Sequence, residues 1–226
     1  MSEQHFLYLR WRVIARRHPS AFLLAAQLLS LVLYPLFDGM PGGRVLLGAF
    51  GVLVLALVVW VVNRSPADNW IAWTLAIPAF LCSLLSVLLG NNGLLITASA
   101  LESALYFYAA GSLIAYMLSD TRVTADELFA VGATFTLLAW AFAYAYLVCQ
   151  AWYPGSFTGA INPEQPRSWL ELLFLSFTTL SSVGIGDILP LSSPARVLVM
   201  LEQLVGVGYI ALVVSRLIGL TILRQR

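Results

Sequence analysis

Residues 178 to 187 combine hydroxyl side chains with closely spaced glycines, a composition suited to holding a cation by oxygen atoms. They read Thr178-Thr179-Leu180-Ser181-Ser182-Val183-Gly184-Ile185-Gly186-Asp187. Glycine adopts positive φ without steric strain, so glycines that alternate with β-branched residues can turn successive carbonyl oxygens toward one axis. A ring of such carbonyls can replace the hydration shell of a cation. The stretch therefore predicts a cation-binding loop made largely of main-chain atoms.

Apolar segments flank this loop on both sides. A short amphipathic run, residues 169–177, precedes it, and a long apolar segment follows it. Irregular backbone at membrane depth is tolerated only where it is buried in protein or lines a water-filled path, because lipid satisfies no backbone polar group. The pattern predicts a re-entrant element over about residues 167–187.

The stretch resembles the selectivity filter of tetrameric potassium channels, whose usual pattern is Thr-Thr-x-Thr-Thr-Val-Gly-Tyr-Gly-Asp. It keeps the family residues at Thr178, Thr179, Val183, Gly184, Gly186 and Asp187. The resemblance implies a filter formed by Ser182, Val183, Gly184, Ile185 and Gly186. It implies K⁺ bound at the first four of these, with the Ser182 hydroxyl contributing to the innermost ion site. Asp187 would then add negative charge at the outer mouth.

Three positions depart from the family pattern. Ser181 and Ser182 replace threonine and keep the hydroxyl, whereas Ile185 replaces an aromatic residue that normally braces the filter. We expect Ile185 to face Phe174 and Leu175, so that an apolar cuff replaces the usual polar support. The loss of both polar partners leaves no buried group unsatisfied. A channel that passes both K⁺ and Na⁺ therefore stays open as an alternative.

Composition places nearly all of the chain in a membrane. The 226 residues are 60% hydrophobic and only 10% charged, with a mean hydropathy of +0.87. Soluble domains are about 25% charged, and about 20 consecutive apolar residues indicate a membrane span. Cys82 and Cys149 lie within apolar runs, where cysteine usually acts as a small hydrophobe. We expect no cofactor other than permeant K⁺, no nucleic-acid partner, and a location in a plasma or bacterial inner membrane.

Six apolar runs predict an all-α membrane protein in which the pore helix and filter loop lie between the fifth and sixth transmembrane helices. The predicted spans are residues 21–37, 45–62, 70–89, 93–118, 128–153 and 197–223. We divide the chain into a cytoplasmic N-terminal segment (1–19), a four-helix domain (20–126) and a pore domain (127–226). The resemblance implies that the pore domain consists of outer helix, pore helix, filter and inner helix. It also implies that three identical subunits complete a homotetramer.

Arginine distribution predicts that both termini are cytoplasmic. In that orientation eight arginines lie in inner segments, against three in outer segments, which fits the positive-inside rule. The inner ones are Arg10, Arg12, Arg16, Arg17, Arg64, Arg122, Arg224 and Arg226, and the outer ones are Arg44, Arg167 and Arg196. The fourth span, 93–118, contains no basic residue, so we expect opening to depend only weakly on voltage.

Single residues of the pore domain carry further predictions. The pore helix is expected to begin near Ser168, with Glu171 in its first turn, where a carboxylate suits the positive helix end. Glu202, together with Phe174, Leu175 and Thr178, is assigned to filter support. Bracing of the pore helix is favoured for Glu202 over ion binding, with Arg196 and Gln203 as candidate partners. For Glu102, in the fourth span, the candidate partners are Ser99, Ser103 and Tyr106. Gly206 is either a gating hinge or a close helix contact.

Other function classes are weighed on single features. An intramembrane protease needs a base beside its serine. The chain has no lysine, however, and both histidines, His5 and His18, precede the first span. A secondary transporter fits the broken helix, but such proteins usually show an internal repeat, which we do not find. A sensor or scaffold fused to a silent pore also stays open.

Overall fold

The computed structural model describes residues 18–37, 43–63, 68–119 and 125–224, and side chains within 18–37, 51–63, 68–119 and 126–216. The predicted N-terminal segment lies outside these ranges except for its last two residues, and so does Arg122. Within them the chain forms seven α-helices and one short two-stranded sheet. The helices are α1 (Pro19–Phe37), α2 (Gly43–Val62), α3 (Asn69–Leu89), α4 (Asn92–Ser119), α5 (Ala125–Trp152), α6 (Trp169–Leu180) and α7 (Ser193–Arg224). Strands β1 (Phe157–Gly159) and β2 (Ile188–Pro190) pair antiparallel.

The predicted all-α membrane architecture is confirmed. Among the described residues, five helices are long and apolar enough to cross a membrane, judged by length and composition: Pro19–Phe37, Asn69–Leu89, Asn92–Ser119, Asp126–Trp152 and Ser193–Arg216. The remaining predicted span coincides with α2, of which Gly51–Val62 ranks as a shorter apolar helix. The count of six crossings stays a prediction.

Helix α5 is the centre of the fold, because both predicted halves of the chain pack against it. Its core residues include Ala133, Leu137 and Trp140, which are buried in one cluster with residues of α1 to α4 and of α6 and α7. A second cluster joins the end of α5 to the pore helix and the two-stranded sheet. The two predicted units therefore share a core, which van der Waals packing and interhelical hydrogen bonds hold together within a membrane.

Local signals in the sequence explain where several elements begin and end. Gly90 ends α3 with φ of 62°, a left-handed conformation that glycine adopts without strain. The side chain of Asn91 then accepts a hydrogen bond from the Gly93 backbone at 2.8 Å as α4 begins. The pore helix α6 begins at Trp169 after a capping box: the Ser168 side chain accepts from the Glu171 backbone, and the Glu171 carboxylate accepts from the Ser168 backbone. The predicted start of the pore helix is confirmed.

Candidate functional site

The candidate site is the loop that joins the end of α6 to strand β2. It is held at its inner end by Thr178, whose carbonyl oxygen accepts hydrogen bonds from the backbone N–H groups of Val183 at 2.9 Å and Gly184 at 3.0 Å. The Thr178 hydroxyl donates to the Leu175 carbonyl at 2.9 Å within the pore helix. Thr178 thus connects the helix directly to the loop, as expected of a supporting residue.

Backbone conformation alternates along this loop. Ser182, Gly184 and Gly186 have positive φ of 60°, 58° and 79°, whereas the two residues between them do not. A serine in this region is uncommon, since a side chain there meets steric strain that glycine avoids. An alternation of this kind is a backbone geometry in which neighbouring carbonyls can point to the same side.

At its C-terminal end the loop joins the two-stranded sheet. The backbone N–H of Ala160 donates to the Asp187 carbonyl at 3.0 Å, and Phe157, Thr158 and Gly159 pair with Pro190, Leu189 and Ile188. Asp187 itself is exposed. Hydrogen bonds therefore hold the loop at both ends, to the pore helix at its N-terminal end and to the two-stranded sheet at its C-terminal end.

The middle of the loop has little protein around it in the single chain. Val183 is 65% exposed and Ile185 is 61% exposed. Phe174 is also exposed, while Leu175 is buried in the cluster that contains Phe142 and Tyr146. One chain therefore leaves Ile185 uncovered, and the apolar cuff around it stays a prediction.

Glu202 connects three helices behind the loop. It is fully buried, and its carboxylate accepts hydrogen bonds from the hydroxyls of Tyr146 on α5 and Ser176 on α6. The Ser176 hydroxyl also lies 2.8 Å from the Ala139 carbonyl oxygen of α5. The position of Glu202 agrees with the predicted bracing of the pore helix, but its partners differ from the suggested Arg196 and Gln203. Glu202 lies on the buried face of α7, whereas those two side chains are exposed.

Gly206 of α7 lies against the last residue of the pore helix. A β-carbon built at this position would stand 2.1 Å from the carbonyl oxygen of Leu180. By contrast, nothing lies within 4 Å of a β-carbon built at Gly208. Of the two interpretations offered by the sequence, the geometry supports the close contact; the hinge stays a prediction.

Sequence reasoning missed several residues that position the site. Arg167 is buried and donates to the Ile161 carbonyl and to the Glu171 carboxylate, both at 2.9 Å, which ties the preceding loop to the start of the pore helix. The backbone of Arg167 also exchanges hydrogen bonds with the Gln150 side chain. Tyr146 and Ser176 were missed as well. A polar residue in the middle of an apolar helix, such as Ser176, was the available signal.

The fold and the site together define a multi-pass membrane protein in which a short helix and a loop lie between two long helices, α5 and α7. Residues 132–222 match the family model described as "Ion channel". The chain is 33% identical over 70 residues to "Potassium channel protein kcv" of Paramecium bursaria Chlorella virus 1, covering 30% of this chain and 73% of the viral protein. This chain belongs to the potassium channel family. No solved structure matches it.

The family match concerns the second half of the chain. The family match extends from α5 through the pore helix and the loop to α7, which are the elements that build the site. The comparisons support a cation channel rather than an enzyme.

Proposed function

We propose that four copies of this chain surround one axis and conduct monovalent cations passively, with K⁺ preferred, through a filter formed by residues 182–186. One observation carries this proposal: left-handed residues alternate with others at Ser182, Gly184 and Gly186. That alternation is the backbone geometry by which successive carbonyls can face an ion. The carbonyls of Ser182, Val183, Gly184 and Ile185, with the Ser182 hydroxyl, would replace the water around a dehydrated K⁺.

The need for further copies follows from the exposure of the loop. Irregular backbone at membrane depth must be covered by protein or line a water-filled path. Val183 and Ile185 are more than half exposed in the single chain, which supplies one such loop. Three identical subunits would cover these residues and complete the ring of oxygens around the ion. Such closed cyclic assemblies are the usual form of soluble homo-oligomers.

Electrostatics support a cation in this place. The C-terminal end of the pore helix at Leu180 leads directly into the loop, and the C-terminal end of a helix carries partial negative charge. Asp187 adds a carboxylate at the other end of the loop, where it is exposed. Both ends of the proposed filter thus favour cations over anions.

Ile185 favours a second candidate, a channel that passes K⁺ and Na⁺ alike. The aromatic residue usual at this position in the family is absent, and among the described residues no polar group braces Ile185. A filter held less firmly would discriminate less between ions of different size. We propose K⁺ preference as the primary function because Val183, Gly184, Gly186 and Asp187 all keep the family pattern.

Gating and orientation form the remaining part of the proposal. Helix α4 carries no basic side chain, so opening is proposed to be nearly independent of voltage. Both termini are proposed to be cytoplasmic, in a plasma or bacterial inner membrane, from the excess of arginine in the inner segments.

The test is ion flux in liposomes that contain only the purified protein. We expect rapid K⁺ flux that is blocked by Ba²⁺, and a reversal potential near the K⁺ equilibrium value in mixed K⁺ and Na⁺. Ile185→Tyr should shift that potential further toward the K⁺ value, whereas Gly184→Ala, at a positive φ, should abolish flux. Flux with the saturable, slow kinetics of a transporter would overturn the proposal. A reversal potential near zero, corrected by Ile185→Tyr, would favour the non-selective channel instead.

A further inference from the structure

Residues of the first four helices and of the pore domain together line a large cavity beside their shared core. Its volume is about 1220 Å³, and it lies where α5 ends and the pore helix begins. Residues of α1 to α5 line it, together with the loop before the pore helix and the first residue of that helix. None of residues 182–187 lines it. A cavity of this size with a few polar groups has the general character of a small-molecule site, and it is separate from the proposed filter.

Two carboxylates line this cavity, Glu102 and Glu164, of which Glu164 is exposed. Glu102 of α4 lines it, is half-buried, and shares a hydrogen bond with the Tyr144 side chain. Its suggested partners Ser99 and Ser103 instead donate to the Leu95 and Ala141 carbonyls. Across the described side chains, no arginine pairs with Glu102. Carboxylates at membrane depth usually face the interior of the helix bundle or a water-filled cavity, and they pair with other polar or charged groups.

Aromatic rings line the cavity beside this carboxylate. Trp169 is the common member: its ring centroid lies 5.6 Å from that of Tyr34, 5.3 Å from that of Trp140 and 5.9 Å from that of Tyr144. All four of these rings line the cavity, and we refer to them as the aromatic wall. Aromatic faces attract cations through the ring quadrupole, most strongly in Trp, and cages of such rings recognise quaternary ammonium groups.

Two hydrogen-bond donors in the aromatic wall lack partners. The indole Nε1 atoms of Trp140 and Trp169 are buried and have no acceptor among the described residues. Trp140 is only 2% exposed. Buried donors are nearly always satisfied, so a buried N–H without a partner beside a cavity points to an absent acceptor. An oxygen atom on a ligand would satisfy it.

We propose that this cavity binds an organic ammonium group that carries a neighbouring oxygen acceptor, as a free small molecule or as the headgroup of a phospholipid. The Glu102 carboxylate is the counter-ion, the aromatic wall surrounds the cationic methyl or methylene groups, and the oxygen accepts from the tryptophan N–H groups. This inference does not depend on the proposed ion conduction. It uses residues of the first four helices, which the family match does not cover, and of the start of the pore domain.

Calorimetry on the full-length protein in a neutral maltoside detergent tests the proposal. Choline is the probe, and 3,3-dimethyl-1-butanol is its uncharged isostere, with K⁺ held at a constant high concentration so that any pore sites stay occupied. We expect choline to bind at least about tenfold more tightly than the isostere, the size expected of a partly desolvated cation–aromatic contact. Glu102→Gln should remove that difference. Asp68→Asn, a carboxylate outside the cavity, should preserve it.

A second variant keeps the proposal testable if Glu102→Gln fails to fold. Trp140→Phe keeps a ring and removes one N–H, so it should weaken choline while leaving tetramethylammonium, which has no oxygen, unchanged. Equal binding of choline and its isostere to the wild-type protein would overturn the proposal. So would choline binding that both Glu102→Gln and Trp140→Phe leave unchanged.

The source of the ammonium group is distinguished in lipid nanodiscs. If the occupant is a lipid headgroup, choline binds in phosphatidylglycerol nanodiscs and is excluded from phosphatidylcholine nanodiscs. If the occupant is a free molecule, choline binds equally in both. Absence of choline binding in both kinds of nanodisc would overturn the proposal.

Discussion

Gly206 of the inner helix lies so close to the pore helix that a β-carbon there would stand 2.1 Å from the carbonyl oxygen of Leu180. The atom it would meet is main chain at the point where the pore helix passes into the filter loop, so it cannot rotate away as a flexible side chain would. Helix α7 and the end of the pore helix, where the proposed filter begins, are therefore in direct contact through a residue that has no side chain.

Gly206→Ala should displace the end of the pore helix and suppress conduction. Overpacking of this kind typically costs about 1–3 kcal/mol, and here it acts directly on residues that shape the filter. Single-channel recording and thermal unfolding measure the two effects. Gly208→Ala is the matched control, because nothing lies within 4 Å of its β-carbon. If Gly206→Ala conducts like wild type and unfolds at the same temperature, the contact is not important for the filter.

The hydrogen bonds of Glu202 should stabilise the filter. Tyr146→Phe removes one of its two hydroxyl partners and leaves a buried carboxylate less satisfied, a loss of about 1–3 kcal/mol. We expect weaker discrimination between K⁺ and Na⁺, measured by reversal potentials. Tyr209→Phe is a suitable control, since that hydroxyl donates to the Val131 carbonyl at 2.6 Å and does not contact Glu202. Equal changes in both variants would indicate a general loss of stability and contradict a role in the filter.

An ion pair joins the inner helix to the beginning of the outer helix. Arg216 donates to Glu127 at 3.0 Å, and the two side chains are only 14% and 5% exposed. In a double-mutant cycle with Glu127→Gln and Arg216→Gln, we expect a coupling energy of about 1–3 kcal/mol from thermal unfolding, because the pair is shielded from water.

The pair of Arg167 and Glu171 provides the comparison, because its N–O distance of 2.9 Å is nearly the same but Glu171 is 40% exposed. Its coupling should be smaller, since water screens the carboxylate. A coupling for Glu127 and Arg216 that is no larger than this would show that burial adds nothing to the ion pair.

Voltage should have little effect on opening. A charge that crosses the field contributes about 2.3 kcal/mol per 100 mV, and helix α4 contains no arginine or lysine to supply one. We expect a conductance–voltage relation that is nearly flat after correction for driving force, measured in planar bilayers with symmetric K⁺. A steep relation equivalent to about three or more gating charges would contradict this expectation.

The sequence by itself determined the class of the protein and singled out its candidate site. Long apolar runs form helices in a membrane, because the backbone N–H and C=O groups there must find their hydrogen-bond partners within the segment. The start of the pore helix was equally predictable, since Ser168 and Glu171 form a capping box from adjacent residues. The glycine and hydroxyl residues of one short stretch predicted the filter loop, whose positive φ values at Ser182, Gly184 and Gly186 support the proposal.

Only the tertiary structure decided which distant residues meet. Periodicity places Glu202 on a helix face, but its partners Tyr146 and Ser176 lie 56 and 26 residues away and are brought together by packing of three helices. The contact of Gly206 with Leu180 and the aromatic wall around Glu102 arise in the same way. Apolar helices pack through many nearly equivalent faces, so sequence alone does not select one; side-chain shape and a few buried hydrogen bonds make that selection.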